Sequence, residues 1–570
     1  MSVNLRKSSS DPRKGRTMAS QKFEMVFRDA VSPEEGGCPE LNPRTVKSGE
    51  MIVDYDVAVP MRDGARIYID VYRPQNEGKY PVILGWGPYG KFGRVKYSML
   101  GNTGLNDEDF NEYTKFEAAD PIYWCRHGYI VINADQRGSW HSEGDLTFMS
   151  PQEVEDCYDL IEWAGTQSWS NGKVGMHGVS YLAWTQWKVA AANPPHLAAI
   201  NPWEGVSDFY RELATHGGIP ETSFSPMWQN SVCFSTTRVE DFVEMEKRHP
   251  LFDAYWAGKN ADLSKITVPA FIVASWADHG LHNRGTIEGF RKINSKDKWL
   301  IVHGRKKWWH FYQKENVEKQ RQFFNRYLKG IDNHVKDWPS ITLEIRERYY
   351  VGSLRTENEW PPARTRYTKL FLNAGNGKLS GSPFKKHAQA QYSVHDINDK
   401  TQNARFEYRF GRRTELTGYM KLKLWVQANG SDDMDIFVAL EKIDRAGYLV
   451  PLPFFGNHDD GPVALGWLRV SHRELDPEKS TPHQPYHKHE KELKLKPGEI
   501  VPVEVEIWPS STLFEKGETL RITVQGSDIY YYPEEMHTNA HTATVNKGRH
   551  IIHTGGRYDS HLLVPVIPER

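Results

Sequence analysis

The chain has 570 residues, too many for one compact core and enough for two or three domains. Its 72 basic and 73 acidic residues nearly cancel, so net charge gives no reason to expect nucleic acid or an anionic membrane as partner. Cys38, Cys125, Cys157 and Cys233 are widely spaced without a C-x-x-C pair, which argues against a zinc site or a dense disulfide framework and fits a reducing compartment.

The first 23 residues are basic and serine-rich and lack the apolar stretch of a signal peptide. No later run reaches the roughly 18 apolar residues of a membrane span. The expectation is a soluble, cytoplasmic protein with a disordered tail over 1–48; an organelle transit peptide is the alternative reading of that basic segment.

From Ile52 the chain alternates with period two on both sides of Arg62-Asp63-Gly64, the pattern of a hairpin opening the first domain. The continuous apolar runs PVILGWG (81–87) and YIVINAD (129–135) suit parallel strands buried on both faces. Next come a helical pattern at 154–167, a short strand KVGMHG and the apolar helix YLAWTQWKVAAA, which together make a doubly wound unit. Further strands are expected at HLAAINP (196–202), PAFIVASWAD (269–278) and KWLIVHG (298–304). The aromatic interval 205–265 reads as a helical cap inserted into an α/β domain spanning 49–204 and 266–335. After Gly330 the texture changes to period-2 runs such as TKLFLNA, YMKLKLWVQA, DIFVALEKI, VPVEVEIWP and TLRITVQG, so 336–570 is expected to be a β-sandwich or jelly roll. Within it the His-rich STPHQPYHKHEKE (480–492) reads as an exposed loop rather than a metal site.

The chemistry centres on Gly178-Val179-Ser180-Tyr181-Leu182, close to the G-x-S-x-G of a strand-to-helix nucleophile turn but with leucine at the second glycine. Ser180 is either a nucleophile or a helix N-cap, and its setting between strand and apolar helix favours the nucleophile. A serine hydroxyl needs a base, and the base needs an orienting carboxylate, in the chain order Ser, acid, His. Asp278 closes the strand FIVASWAD and is the candidate acid, against a helix cap or a surface acid. In the loop after KWLIVHG the candidate base is His310, with His303 packed at the strand end; His310 could equally be a satisfied helix-start residue. An oxyanion would be met by the Tyr181 amide and by the loop Gly87-Pro88-Tyr89-Gly90-Lys91, where Tyr89 offers a phenol or is a turn aromatic stacked on Pro88. Trp86, Trp140, Trp184, Phe209 and Trp276 are candidate pocket walls.

The segments DGARIYIDVYRP, GPYGK, ADQRGSWHSEG, SWSNGKVGMHGVSYLAWTQW, FFNRYLKGID and WPPART resemble the cocaine-esterase and X-Pro dipeptidyl-peptidase-like (CocE/NonD) serine hydrolases from about residue 50 onward. The resemblance implies an α/β-hydrolase domain with a helical cap, a C-terminal jelly roll of galactose-binding-like type, and cleavage of esters or amides without a cofactor. It also implies Ser180 as nucleophile, Asp278 as acid and Tyr89 with the Tyr181 amide as oxyanion hole, and the family's own S-Y-L usage accommodates Leu182. Asp135, Arg137, Gly138 and Ser139 would then form a structural turn.

The departure is at the histidine. Relatives read G-P-W-x-H or a similar short spacing, whereas Gly304 is followed by Arg305-Lys306-Lys307-Trp308. Either His310 fills the role from a longer loop or the triad is incomplete. The expected function is a serine hydrolase of a mainly apolar ester or amide, with a homodimer compatible with it. The alternatives are a hydrolase-fold protein that binds or non-hydrolytically converts a small molecule, and an X-Pro dipeptidyl-peptidase.

Overall fold

The computed structural model describes residues 24–394, 402–533 and 537–569. Its first sheet is built from β1 (Arg44–Ser48), β2 (Met51–Pro60), β3 (Arg66–Pro74), β4 (Tyr80–Gly87), β5 (Ile130–Asp135), β6 (Ser170–Val179), β7 (Leu197–Trp203), β8 (Ala270–Ser275), β9 (Lys298–His303), β10 (Ile341–Arg348) and β11 (Val351–Glu357). Their spatial order is β1-β2-β3-β5-β4-β6-β7-β8-β9-β10-β11, parallel from β5 to β10 and antiparallel at both margins. Of the runs expected to be buried on both faces, β5 is buried at every residue and β4 at all but Tyr80 and Gly85.

Helices cover both faces. On one side α2 (Pro151–Thr166) presents Cys157, Leu160, Ile161 and Ala164, the i, i+3, i+4, i+7 stripe of an amphipathic helix, to the same core as α3 (Tyr181–Ala191) and α7 (Asn283–Lys292). The Ser150 hydroxyl accepts from Glu153 N–H at 3.1 Å and Pro151 occupies the first turn, so the start of α2 is fixed locally. On the other side α1 (Pro121–Arg126), α8 (Lys307–Tyr312) and α9 (Lys314–Lys329) pack Trp124, Phe311, Phe323, Phe324 and Leu328 against the sheet. Between β7 and β8 the chain forms α4 (Phe224–Ser231), α5 (Phe242–Arg248) and α6 (Ala254–Lys259), with a π-helical turn at Tyr210–Ala214.

The C-terminal part is β-rich. Its strands are β12 (Arg366–Asn373), β13 (Ala388–Ser393), β14 (Asn403–Arg409), β15 (Thr414–Asn429), β16 (Asp435–Ile443), β17 (Ala464–Arg469), β18 (Val501–Phe514), β19 (Thr519–Gln525), β20 (Arg549–Thr554) and β21 (His561–Ile567). They pair antiparallel as β12-β21-β15-β18, β17-β16-β19-β14 and β13-β20-β15. Leu422, Leu424 and Val426 of β15 meet Ile436, Val438, Val505, Ile522 and Val524 in one core, the alternation visible in the sequence.

Three expectations need correction. Order begins before residue 49: Phe27–Asp29 is held by Arg238–Glu240, a partner distant in sequence, and β1 forms a hairpin with the neighbouring β2. Residues 1–23, with their basic stretch, lie outside the described residues. The first sheet also runs past 335, since β10 joins β9 in parallel and β11 joins β10; period two announces a strand but not the sheet it joins. The stretch 480–492 is no exposed loop. His487 and His489 are buried, and Arg211 donates to the His487 carbonyl at 2.8 Å.

Candidate active site

Ser180 sits between the end of β6 and the start of α3 with φ 57° and ψ −115°, a conformation a non-glycine residue adopts only when its surroundings impose it. They do so here: Ser180 N–H is shared by the carbonyls of Trp203 and Glu204 at 3.0 and 3.1 Å. Leucine replaces the second glycine of the motif because the room is made elsewhere. A Cβ on Gly178 would lie 2.6 Å from the Leu182 Cβ, and one on Gly87 would lie 3.0 Å from its Cδ1. Glycines on the two strands beneath α3 therefore admit the larger side chain.

The imidazole beside Ser180 belongs to His282. Its Nε2 lies 3.0 Å from Ser180 Oγ, and its Nδ1 lies 2.5 Å from Asp278 Oδ2. Both residues come from one tight loop joining β8 to α7, closed by Asn283 N–H on the Asp278 carbonyl at 3.0 Å. Gly280 forms the tip with φ 89°, and a Cβ there would meet Asn539 Nδ2 at 2.3 Å. The carboxylate and the imidazole are thus four residues apart on a single turn.

His310 lies elsewhere, so its assignment as the base is corrected. The loop after β9 turns at once into α8, whose first residues present Lys307 Nζ to Asp278 Oδ2 at 4.0 Å and Trp308 Nε1 to Glu117 Oε1 at 2.7 Å. His310 stacks on His303 with ring centroids 3.8 Å apart, and burial, helped by Lys319 and Arg305, pushes its pKa down to about 3.

Burial alone would raise the Asp278 carboxyl, but its neighbours His282 and Lys307 outweigh it and hold it below the usual range. Burial lowers His282 from 6.5, opposed by Asp278, which leaves the ring a neutral acceptor at pH 7. The Tyr89 hydroxyl faces Ser180 in one cavity and accepts from Trp228 Nε1 at 3.3 Å; its burial, with Glu117 nearby, raises the phenol so that it stays a donor. Tyr89 packs edge-on against Phe116 and Tyr181. The Tyr181 amide is the first N–H of α3, where no intrahelical acceptor exists.

Ser180 opens into a small cavity lined by Tyr89, Tyr181, Trp184, Val206, Leu213, Phe224, Trp228, Leu281 and His282. Of the expected walls only Trp184 lines it. Phe209 lies behind Trp184, at 3.8 Å between ring centroids. Trp86 donates to Glu153, Trp140 to the Pro88 carbonyl and Trp276 to the Glu344 carbonyl, so these three are core residues with satisfied N–H groups. Asp135 accepts from Lys91 N–H at 2.7 Å and Arg137 chelates Asp156, the structural turn the resemblance implied.

His282 carries no motif of its own. The usable signal was the i, i+4 spacing of Asp278 and His282, together with the missing histidine after β9. Among the described residues no group of His, Cys, Asp and Glu could hold a metal, the four cysteines are buried free thiols, and no helix is long and apolar enough to cross a membrane.

Residues 63–312 match the X-Pro dipeptidyl-peptidase (S15 family), and residues 333–563 match the X-Pro dipeptidyl-peptidase C-terminal non-catalytic domain. A CocE/NonD family hydrolase from Staphylococcus aureus is 43% identical, with TM-score 0.88 over 98% of this chain and 99% of that one. The cocaine esterase of Rhodococcus sp. is 24% identical, covering 91% of this chain and 99% of its own. An α-amino acid ester hydrolase shares the fold at TM-score 0.68 and 18% identity, over 93% of this chain and 99% of that one.

Proposed function

Because the chain belongs to the CocE/NonD, X-Pro dipeptidyl-peptidase-like family of serine hydrolases, we propose that it cleaves an ester or amide of a mainly apolar small molecule through an acyl-enzyme on Ser180. The observation that carries this reading is the unbroken contact from Asp278 through His282 to Ser180. His282 Nε2 takes the hydroxyl proton as Oγ attacks the substrate carbonyl, and Asp278 stabilises the imidazolium that forms. The Tyr89 hydroxyl and the Tyr181 amide receive the negative charge of the tetrahedral oxygen. The imidazolium then protonates the leaving group, and a water activated by the same ring releases the acyl group.

The aromatic and aliphatic lining favours an apolar acyl or alkoxy group: among the described residues that line the cavity, none is a carboxylate able to hold a substrate ammonium. The antiparallel pairing of β12–β21 supports a jelly-roll reading of the C-terminal part. The non-hydrolytic alternative rested on a missing base, and His282 removes its motive. The X-Pro peptidase reading keeps the support of the matching family, so X-Pro chromogenic peptides are to be assayed beside simple esters of small acids.

A fluorophosphonate probe tests the assignment. Labelling is expected at Ser180 and is expected to vanish in Ser180→Ala. Turnover should fall on the order of 10³-fold or more in His282→Ala and stay near wild type in His310→Ala. An unlabelled Ser180 in folded protein, or the opposite order of the two histidines, overturns it.

A further inference from the structure

Behind the acid lies a second buried carboxyl that the reaction as described does not use. Glu204 follows β7 directly, is fully buried, and keeps φ 46°, a left-handed backbone on a residue that is not glycine. Its carbonyl is one of the two acceptors of the Ser180 N–H. The surroundings therefore fix both its backbone and its side chain.

The protons around it can be assigned one by one. Arg305 N–H donates to His303 Nδ1 at 3.1 Å, so that nitrogen is unprotonated and the neutral ring carries its hydrogen on Nε2. His303 Nε2 lies 3.1 Å from Glu204 Oε1, which accepts that hydrogen. Burial drives the His303 ring well below its ordinary pKa, with His310 adding to the effect, so it does not supply a second charge. Glu204 Oε2 is buried and finds no donor among its neighbours, and the Glu204 side chain lies against that of Asp278. Two carboxyls can meet in a buried site only across a proton. Asp278 is committed as the acceptor of His282 Nδ1–H and stays ionised beside Lys307, so the proton resides on Glu204, whose pKa is raised by burial and by Asp278. The groups facing this pair are His282 on its own loop, Lys307 from α8, Glu117 from the segment before α1, and His537.

We propose that Glu204 is a positioning residue of the hydrolase: as a neutral carboxylic acid it donates to Asp278 and fixes that carboxylate against His282, while His303 fixes Glu204. The donors run Arg305 N–H, His303, Glu204 and end on Asp278 as acceptor, with His282 donating to Asp278 from the other side and meeting Ser180 through its second nitrogen. It gives a role to His303 and to the strained backbone of Glu204. The inference rests on the Ser180–His282–Asp278 reading above.

The test uses the full chain and an ester substrate. Glu204→Gln keeps a donor toward Asp278 and an acceptor for His303 and cannot ionise; kcat is expected within about threefold of wild type. Glu204→Met keeps the length and loses the donor; kcat is expected to fall on the order of 10-fold or more with KM within about threefold, because Asp278 is misaligned and the pocket is untouched. If the methionine variant does not fold, Glu204→Asp withdraws the acid from Asp278 and should show the same fall in kcat. A glutamine variant as impaired as the methionine variant would mean that a charge is needed, and a methionine variant with wild-type kcat would mean that no positioning occurs; either overturns the proposal. Fluorophosphonate labelling of wild type separates the two levels. Labelling with no effect of Glu204→Met sinks only the role of Glu204, whereas an unlabelled Ser180 sinks the triad and the proposal with it.

Discussion

His282 works between two opposing influences, and their balance sets the pH range of the enzyme. Burial favours the neutral ring, Asp278 favours the charged one, Lys307 again favours the neutral one, and the net result lies below 6.5. Catalysis needs the neutral form in free enzyme, so kcat/KM should be flat at neutral pH and fall only as pH drops through a value below 6.5. A pH–rate profile checks this: a midpoint above 7 would mean that the imidazolium is the favoured state of the free enzyme. The same residue marks what a sequence can and cannot reveal. Ser180 was legible because strand, turn and helix surround it within a dozen residues. His282 was not, because the chain order of the triad directs attention to the loop after β9, and nothing in a one-dimensional pattern says that the loop after β8 holds acid and base together. His310 drew attention by standing nearest that place, but α8 starts too soon for it to reach Ser180.

At the scale of elements, α4 was foreseen only as helical texture, yet it completes the site. Trp228 on α4 donates its indole N–H to the Tyr89 oxygen at 3.3 Å and stacks on Tyr181 at 5.9 Å between centroids. A phenol that accepts from Trp228 has its own hydrogen free for Ser180 or for an oxyanion, so α4 orients a donor that β4 and its following turn supply. Trp228→Phe keeps the ring and loses the N–H. It should lower kcat about 10-fold with little change in KM, and Tyr89→Phe should cost more, about 10²-fold. The two effects should not add: in a Tyr89→Phe background Trp228→Phe should change nothing, and a double-mutant cycle measures this directly. Additive losses would show that Trp228 merely lines the cavity. The strands from β4 to β9 were legible to within a few residues, because burial on both faces leaves an apolar run, whereas β1, β10, β11, β13, β14, β17, β20 and β21 were not singled out. Which sheet β10 and β11 would join was not legible, since period two is the same in either.

One guanidinium next to the active-site loop joins it to two other parts of the molecule. Arg284, two residues after His282 on α7, is 2% exposed. Its Nη1 donates to Glu212 Oε1 at 2.7 Å in the segment between β7 and β8, and its Nε donates to Glu506 Oε1 at 3.0 Å on β18 of the C-terminal part. Glu212 is fully buried and also receives the amides of Ser207 and Asp208 at 2.7 and 3.0 Å, so it cannot turn to water if its partner is lost. A buried pair adds little net stability compared with an apolar pair, but removing one member strands a charge. Arg284→Met should therefore cost about 3–5 kcal/mol, read as a lower urea midpoint of the first unfolding transition. Pairing it with Glu212→Met should recover much of that loss by removing the stranded carboxylate. Because α7 carries His282 at its start, Arg284→Met should also reduce turnover below the transition, through a displaced imidazole. If the single variant keeps the wild-type midpoint, Glu212 has another way to shed its charge, and the remaining contacts, such as Arg291 to Gln484 and Asn539 to the Gly280 carbonyl, suffice to join the parts.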